Sequence, residues 1–572
     1  MPPHRHTNRV ASLSLVLVAV VVACTEPSGP DTKPKEIVLT SVDTLRSIGA
    51  TVSLSAAVRN ASGETLPSAV LSWESTNSGI VTVSSAGLAT AVSNGSVYVR
   101  ARSSDALDSI QVVVRQRISL DKSVLSPSRE LLFVDDTVQI TLQLRDELGN
   151  RITFGGANVF ITRSGGTASG MMLPTVDRGD GTYTSGFIGS PLGTDAEVTA
   201  RVNGTLITSA SPKMKVIGFT KLAAYSSYTI LTCGLITTGD LYCWGQQTGG
   251  LRGTGEPGLT SPSPTLVGGG HRWTDVDIGV ESVCGITDNA KLYCWGEATG
   301  GALGIGVNGG HFHSPVAVLP ESSFVALDLG TARGHCAITT GHIAMCWSSG
   351  TWGRLGNGAD TTVYKPVAVS GANRFAGIAS SFSGSCGVTD AGAAMCWGNS
   401  ATLGIGFGPF PDICTVAVPC GKTPVSVAGS FTFKPIIFHS GNNVCAIGTN
   451  NKTYCWGRWF SVPTELAGAP IFTSLATADW DHCGVSQSGL AYCWGANQSG
   501  RFGANRDQAD VRVPQPVGEG KRFTQLAMGY THMCGVATDG NAWCWGTNER
   551  GELGDRTTTA SDTPVRVKLF AP

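Results

Sequence analysis

The sequence predicts an all-β chain in which two modules of short strands precede a seven-bladed β-propeller. Three observations carry that prediction. Between Cys233 and Trp545, a Cys is followed ten residues later by a second Cys and then at once by Trp, seven times over. The unit returns roughly every 50 residues, and a period of that size built from short strands marks a propeller or a related array. The 572 residues include 74 Gly and 27 Pro, which suit many tight turns, and no stretch reads as an amphipathic helix.

The first element is an export signal. Arg5 and Arg9 form a basic start, and Val10 to Val22 is almost wholly apolar but short for a bilayer span. The run ends Val21-Val22-Ala23-Cys24. This resembles the bacterial lipoprotein signal, which implies cleavage before Cys24 and lipid on its sulfur and amine. Thr25 follows the Cys, which in a diderm bacterium implies sorting to the outer membrane. Residues 25–36, with Pro27, Pro30 and Pro34, read as a polar tether.

Two β modules follow. Residues 37–115 place Trp73-Glu74-Ser75 before Val81-Thr82-Val83, then Gly87-Leu88 and an Asn94-Gly95 turn. That order resembles the group 2 bacterial immunoglobulin-like domain and implies a β-sandwich with Trp73 in its core. Residues 116–217 carry Asp146-Glu147-Leu148-Gly149-Asn150 and Asp180-Gly181-Thr182-Tyr183, which resemble filamin- or invasin-type immunoglobulin-like repeats. The fold class is therefore two immunoglobulin-like β-sandwiches followed by the propeller, residues 218–572. Asp177 and Asp180 read as turn formers rather than metal ligands, and no metal or cofactor is expected.

Within each propeller unit the strands can be read off. In the last, Phe523 to Ala527, Cys534 to Ala537, Ala542 to Trp545 and Pro564 to Val567 are four strands, with Thr538-Asp539-Gly540 as a turn. Four strands per unit make one blade. Trp273, Phe324, Phe375, Phe472 and Phe523 open units, and Gly-x-Leu-Gly recurs at Gly301 and Gly353. In a hairpin centred between the two cysteines, positions i and i+10 fall opposite one another, and directly opposed Cα atoms roughly 4.5–5.5 Å apart suit a disulfide. One bridge per blade is expected: Cys233–Cys243, Cys284–Cys294, Cys336–Cys346, Cys386–Cys396, Cys445–Cys455, Cys483–Cys493 and Cys534–Cys544. Cys414 and Cys420 are expected to pair inside a long insertion of unit four. With 17 cysteines, only Cys24 is left over, the lipidation candidate. Metal binding is disfavoured because C-x-x-C knuckles are absent. Paired cysteines belong to an oxidising compartment, which agrees with export. The final strand, Pro564 to Leu569, is expected to pair within the blade that holds Phe219 to Ala223 or its neighbours and so lock the ring.

Units reading C-G-V…C-W-G…G-x-L-G…P-V-x-V resemble regulator of chromosome condensation repeats over residues 219–569. The resemblance implies a closed ring. The family's best-known activity is nucleotide exchange on a small nuclear GTPase, and it also includes a secreted bacterial inhibitor of β-lactamases. The cysteine pairs depart from the nuclear type, which puts a carry-over of exchange in doubt.

Function is less legible. Net charge is −1, charged residues are 14%, and no Lys/Arg run appears, so nucleic acid is not an expected partner. The Gly-rich stretches open no helix and give weak support for phosphate binding. His335, His482 and His532 recur just before the first Cys of their units, which points to a structural bond rather than catalysis. The chain is not expected to be an enzyme. Phe407 and Phe410 in the unit-four insertion, and Trp459 and Phe460 in the shortened unit five, are candidate binding aromatics. The expected function is a lipid-anchored envelope or surface protein. It holds the bilayer through Cys24 and binds an envelope or extracellular protein or a glycan with the propeller. A hydrolase or lyase at the funnel, marked by clustered carboxylates, and an exchange factor are the alternatives.

Overall fold

Each Cys-x9-Cys-Trp repeat folds as one antiparallel sheet. In the computed structural model, residues 31–570 are described except 41, 225–229, 247, 259, 331–333, 383, 400–411, 415–418, 441–442, 458–459, 479–480, 496, 498–501 and 503–510. Blade 1 comprises Phe219–Ala224, Leu231–Ile236, Leu241–Gly245 and Ser261–Leu266, ordered from the ring axis outward. The innermost strands of blades 2 to 7 are Trp273–Gly279, Phe324–Leu329, Phe375–Ser380, Phe433–Ser440, Phe472–Ala478 and the second half of Val511–Met528. Its first half is the outer strand of blade 6, and a left-handed turn at Gly518, Glu519 and Gly520 leads from there to the axis of blade 7.

Register explains the repeat. Cys233 lies opposite Cys243 and Leu235 opposite Leu241, so these four share one face. Each of the seven hairpins carries its disulfide, with Cα atoms 4.1 Å apart in blade 1 and 4.0 Å in blade 7. Cys414–Cys420 is the eighth bridge. The disulfide face of one blade packs on the aromatic face of the next. Cys233, Leu235 and Cys243 meet Trp273 and Trp295, and Cys284 and Cys294 meet Phe324 and Trp347. The same contact recurs around the ring. All seven post-cysteine Trp residues are fully buried.

Two glycine signals have a packing cause. In the Cys-Gly step, the opening aromatic of the same blade lies over the glycine: a Cβ on Gly234 would sit 2.6 Å from Phe219, and one on Gly535 would sit 2.5 Å from Phe523. In Gly-x-Leu-Gly, the last glycine lies under the next blade's indole. A Cβ on Gly304 would be 3.0 Å from Trp347. At some of these contacts the indole N–H donates to the loop, as Trp347 does to Ala302 O at 3.0 Å and Trp295 to Leu251 O at 2.8 Å, while Trp397 over Gly356 finds no acceptor.

Ring closure corrects the sequence expectation. Ser561–Arg566 pairs with Ala542–Gly546 inside blade 7, and Phe219–Ala224 pairs with Leu231–Ile236 inside blade 1. Every blade is built from one contiguous repeat, so no strand is left to be shared, and closure falls to side chains. Phe219, Leu222 and Trp244 of blade 1 pack on Cys534, Val536, Cys544, Leu553, Val567 and Leu569 of blade 7. Gln525 bonds the backbone of Leu222 in both directions, at 2.9 and 2.8 Å.

The two N-terminal modules are β-sandwiches. The first has its core at Val81, Ala89, Val99 and Val112, with Trp73 half-buried against both of its apolar clusters. The second closes two five-stranded sheets over Leu142, Tyr183, Phe187 and Val198. Fully buried Asp146 joins them. Its carboxylate accepts Ile48 N at 3.0 Å and Gln116 Nε2 at 3.0 Å while capping its own turn at Asn150 N. Burial would raise its pKa, but these bonds outweigh it and hold the group below the usual carboxylate value. Asp177 and Asp180 accept turn N–H groups from Gly156, Gly179 and Thr182.

The second sandwich is seated on the propeller. Leu131–Phe133 pairs in parallel with Lys213–Ile217, the strand that leads directly into blade 1. Phe133 stacks on Phe219 at 5.2 Å, and Arg566 bonds Val134 O at 2.9 Å and Asp136 at 3.0 Å. Leu192 lies against Gly540, in the turn between the second and third strands of blade 7. The sandwich thus occupies the ring face that carries these turns. The loops after the first and third strands of each blade open on the opposite face.

Candidate functional site

Two places on the ring can meet a ligand: the axial funnel and the loop face turned away from the sandwiches. The funnel holds a cavity of about 400 Å³ lined by the innermost strands of all seven blades. Its wall is about equally polar and apolar, and Ile378, Ile436, Phe438 and Leu475 supply part of the apolar half. One sector is charged. Lys221 of blade 1 pairs with Asp275 of blade 2, and Asp277 and Asp328 follow in blades 2 and 3. Burial drives the Asp277 carboxyl up to about 6 against the pull of Lys221 and two backbone N–H groups. Burial and the neighbouring Asp277 charge drive Asp328 well above the carboxylate range. Burial works against the Lys221 ammonium, yet Asp275 and Asp277 raise its pKa.

The carboxylates have a structural task. Asp277 accepts Leu329 N of blade 3 at 2.7 Å, and Asp328 accepts Ser380 N of blade 4 at 2.7 Å. Each therefore staples one inner strand to the next, as Gln525 does between blades 7 and 1. The sequence reading missed these acids because Asp277 and Asp328 lie in separate strands about 50 residues apart. The Trp273-Thr-Asp-Val-Asp and Phe324-Val-Ala-Leu-Asp spacing was the available signal. Among the described residues, no group of three or more His, Cys, Asp or Glu is arranged to hold a metal ion.

The buried histidines belong to the interfaces between blades. His335, His482 and His532 are fully buried. His532 Nε2 lies 2.7 Å from Thr232 Oγ1, across the closing interface. His482 stacks on Trp494 at 5.8 Å, and burial lowers its pKa to about 4.

Of the candidate binding aromatics, Phe407, Phe410 and Trp459 lie outside the described residues, as does Cys24. Phe460 is half-buried and packs against the cluster around Trp494. Trp494 Nε1 has no acceptor, and neither has Trp397 Nε1, although blade 3 keeps the Gly-x-Leu-Gly loop that blade 5 lacks. The loop face also carries Trp352 and Phe382, whose rings are 5.7 Å apart with the Arg354 guanidinium against both.

Comparison with known proteins agrees with this architecture. Residues 35–114 match the bacterial Ig-like domain (group 2), and residues 120–218 match invasin, domain 3. Residues 488–536 and 523–552 match the regulator of chromosome condensation (RCC1) repeat. Residues 488–552, in the last two blades, thus carry RCC1 repeats, and a ring of such repeats is a fold capable of binding proteins. Human E3 ubiquitin-protein ligase HERC2 is 26% identical over 355 residues, 57% of this chain and 7% of that protein's length. The ultraviolet-B receptor UVR8 of Arabidopsis thaliana is 25% identical over 344 residues, 56% of this chain and 76% of that one. The structure of yeast RCC1 (Prp20) with Kap60 bound superposes at a TM-score of 0.51 and 18% identity, covering 60% of this chain and 85% of that one. That likeness shows the fold alone.

Proposed function

We propose that the propeller is a protein-binding module that works through its loop face, with the Ig-like modules as a spacer on the other side. The observation that carries this is the seating of the second sandwich on the strand 2–3 turn face, through Phe133, Arg566 and Leu192. The opposite face, with its long loops, is left for a partner. A photo-crosslinking residue at Tyr530, on the loop face of blade 7, should capture discrete partners in cells. The same residue at Ile343, in a turn of blade 3 on the spacer side, should not. Crosslinks from Ile343 alone, or from neither, would remove the reading.

Two forms of protein binding differ in compartment. Yeast RCC1 has been described with Kap60 bound and for its binding to Gsp1p and histones. The comparisons therefore weigh more toward the exchange-factor alternative than toward glycan binding. Accelerated release of labelled GDP from purified Gsp1p would support exchange. The eight disulfides, the invasin-type module and the Cys24 signal support an exported, lipid-anchored protein instead. Cys24→Ser should then move the protein from the membrane to the soluble fraction, since a lipid is the anchor. A hydrolase at the funnel finds its expected carboxylate cluster in Asp277 and Asp328, but it draws less support because each of these acids is engaged in stapling one blade to the next.

A further inference from the structure

On each innermost strand, one residue lies opposite the first cysteine of the hairpin. It is alanine in four blades, as Ala223, Ala379, Ala476 and Ala527. Blades 2 and 3 have Asp277 and Asp328 there, and blade 5 has Phe438. Alanine therefore suffices for the blade, yet all three departures line the axial cavity. Blade 5 is three steps from blade 2 in a ring of seven, so Phe438 stands across the axis from Asp277. Lys221, the cation of this wall, is paired with Asp275. Among the described residues, neither Asp277 nor Asp328 has an ion-pair partner of its own. Asp328 Oδ1 accepts Ser380 N at 2.7 Å, and its Oδ2 has no hydrogen-bond partner among the described residues. Burial holds both carboxyls above their ordinary range, as expected of acids without a direct counter-ion.

Stapling does not account for the charge. Gln525 joins blade 7 to blade 1 with a neutral amide, and an uncharged side chain could serve equally between blades 2, 3 and 4. Buried carboxylates are ordinarily paired, because desolvation otherwise penalises the charge. The cavity of about 400 Å³ falls within the roughly 300–1,000 Å³ of small-ligand pockets. It sets two acids on one side and an apolar wall with an aromatic ring on the other. We propose that the funnel binds a small organic cation, a protonated amine. Its ammonium group meets Asp277 and the free oxygen of Asp328, and its apolar body lies against Ile436 and Phe438. A bare metal ion fits less well, since among the described residues no three His, Cys, Asp or Glu converge to hold one. This adds a ligand at the axis and is independent of the loop-face reading.

The test is calorimetric titration of the full chain at neutral pH with phenethylamine and hexylamine, and with phenethyl alcohol as the uncharged control. One amine per chain should bind, about tenfold or more tightly than the alcohol. Asp277→Asn and Asp328→Asn keep an oxygen for the strand N–H and remove the charge. Each should weaken the amine about tenfold and leave the alcohol unchanged. Phe438→Ala, which installs the residue of four other blades, should weaken amine and alcohol alike. The amine–alcohol contrast is read within each variant, so a change in stability does not blur it. Amines that bind no more tightly than the alcohol, or not at all at millimolar concentration, would overturn the proposal. So would undiminished amine binding in the double variant Asp277→Asn/Asp328→Asn. Tighter binding of Nα-acetyl-lysine amide than of either free amine would make the guest a partner's side chain and overturn the small-molecule assignment.

Discussion

The indole Nε1 of Trp244 donates to the carbonyl oxygen of Glu552 at 2.9 Å, joining the first blade to the last. Gly554, two residues on, has φ +65°, and a Cβ there would sit 2.6 Å from that same nitrogen. Gly554→Ala should therefore cost roughly 2 kcal/mol or more, combining backbone strain with a displaced indole. Gly341→Ala, whose Cβ would meet nothing nearer than 3.6 Å, is the control and should stay near zero. Urea unfolding of both variants checks this. Equal midpoints would mean that the closing bond carries no stability.

Removal of residues 563–572 tests closure from the other side. The outer strand of blade 7 and the buried Val567 and Leu569 would go with them. An ordinary exposed tail of that length matters little. Here the melting temperature should fall by many degrees and aggregation should rise, since the aromatic face of blade 1 and the outer edge of blade 7 would lose their cover. A truncated chain that melts like the full one would place closure elsewhere.

Mass mapping without reduction should recover the eight bridges, each first Cys joined to the Cys ten residues on, with Cys414 joined to Cys420. Short loops of this kind contribute roughly 2–3 kcal/mol each. A reductant should therefore lower the melting temperature strongly. Bridges between different blades would contradict the register of Cys233 on Cys243 and its six counterparts.

The stalk junction offers another check. Arg566 Nη2 reaches both Val134 O and Asp136, and Asn541 Oδ1 accepts from the same guanidinium at 2.7 Å. Arg566→Ala combined with Phe133→Ala should free the second sandwich from the ring. Small-angle X-ray scattering would then show a larger radius of gyration, and a protease should cut near Gly218. An unchanged scattering profile would mean that the linking strand alone holds the angle.

Much of this was legible in the sequence because the repeat writes its own physics. The ten-residue spacing placed Cys233 opposite Cys243, and the Cys-Gly and Gly-x-Leu-Gly steps marked where a ring must lie on bare backbone. Closure was not legible. A local pattern says which strands make a blade, but the contact of Trp244 with Glu552 is set by how seven blades meet. The inter-blade acids were hidden for the same reason, since Asp277 and Asp328 find their partners only in the neighbouring blade.

His482 supplies a pH dependence with a definite sign. The imidazole is fully buried between Trp494 and the Cys445 sulfur, 3.9 Å from its Nδ1, and burial lowers its pKa from 6.5 to about 4. At pH 7 it is neutral in the folded chain and mostly neutral in the unfolded one, so its slope there is small. As pH falls below about 6.5, the unfolded chain takes up a proton that the folded chain refuses until near pH 4, so stability declines across that window. Two and a half pH units correspond to about 3 kcal/mol at most. Asp277, raised to about 6, acts in the opposite sense, since the folded state gains its proton first on acidification. The comparison must therefore be made between variants. His482→Gln should flatten the loss of stability between pH 7 and pH 5 relative to the parent, whatever its absolute stability. Parallel curves of unfolding free energy against pH would show that His482 does not remain neutral in the folded protein.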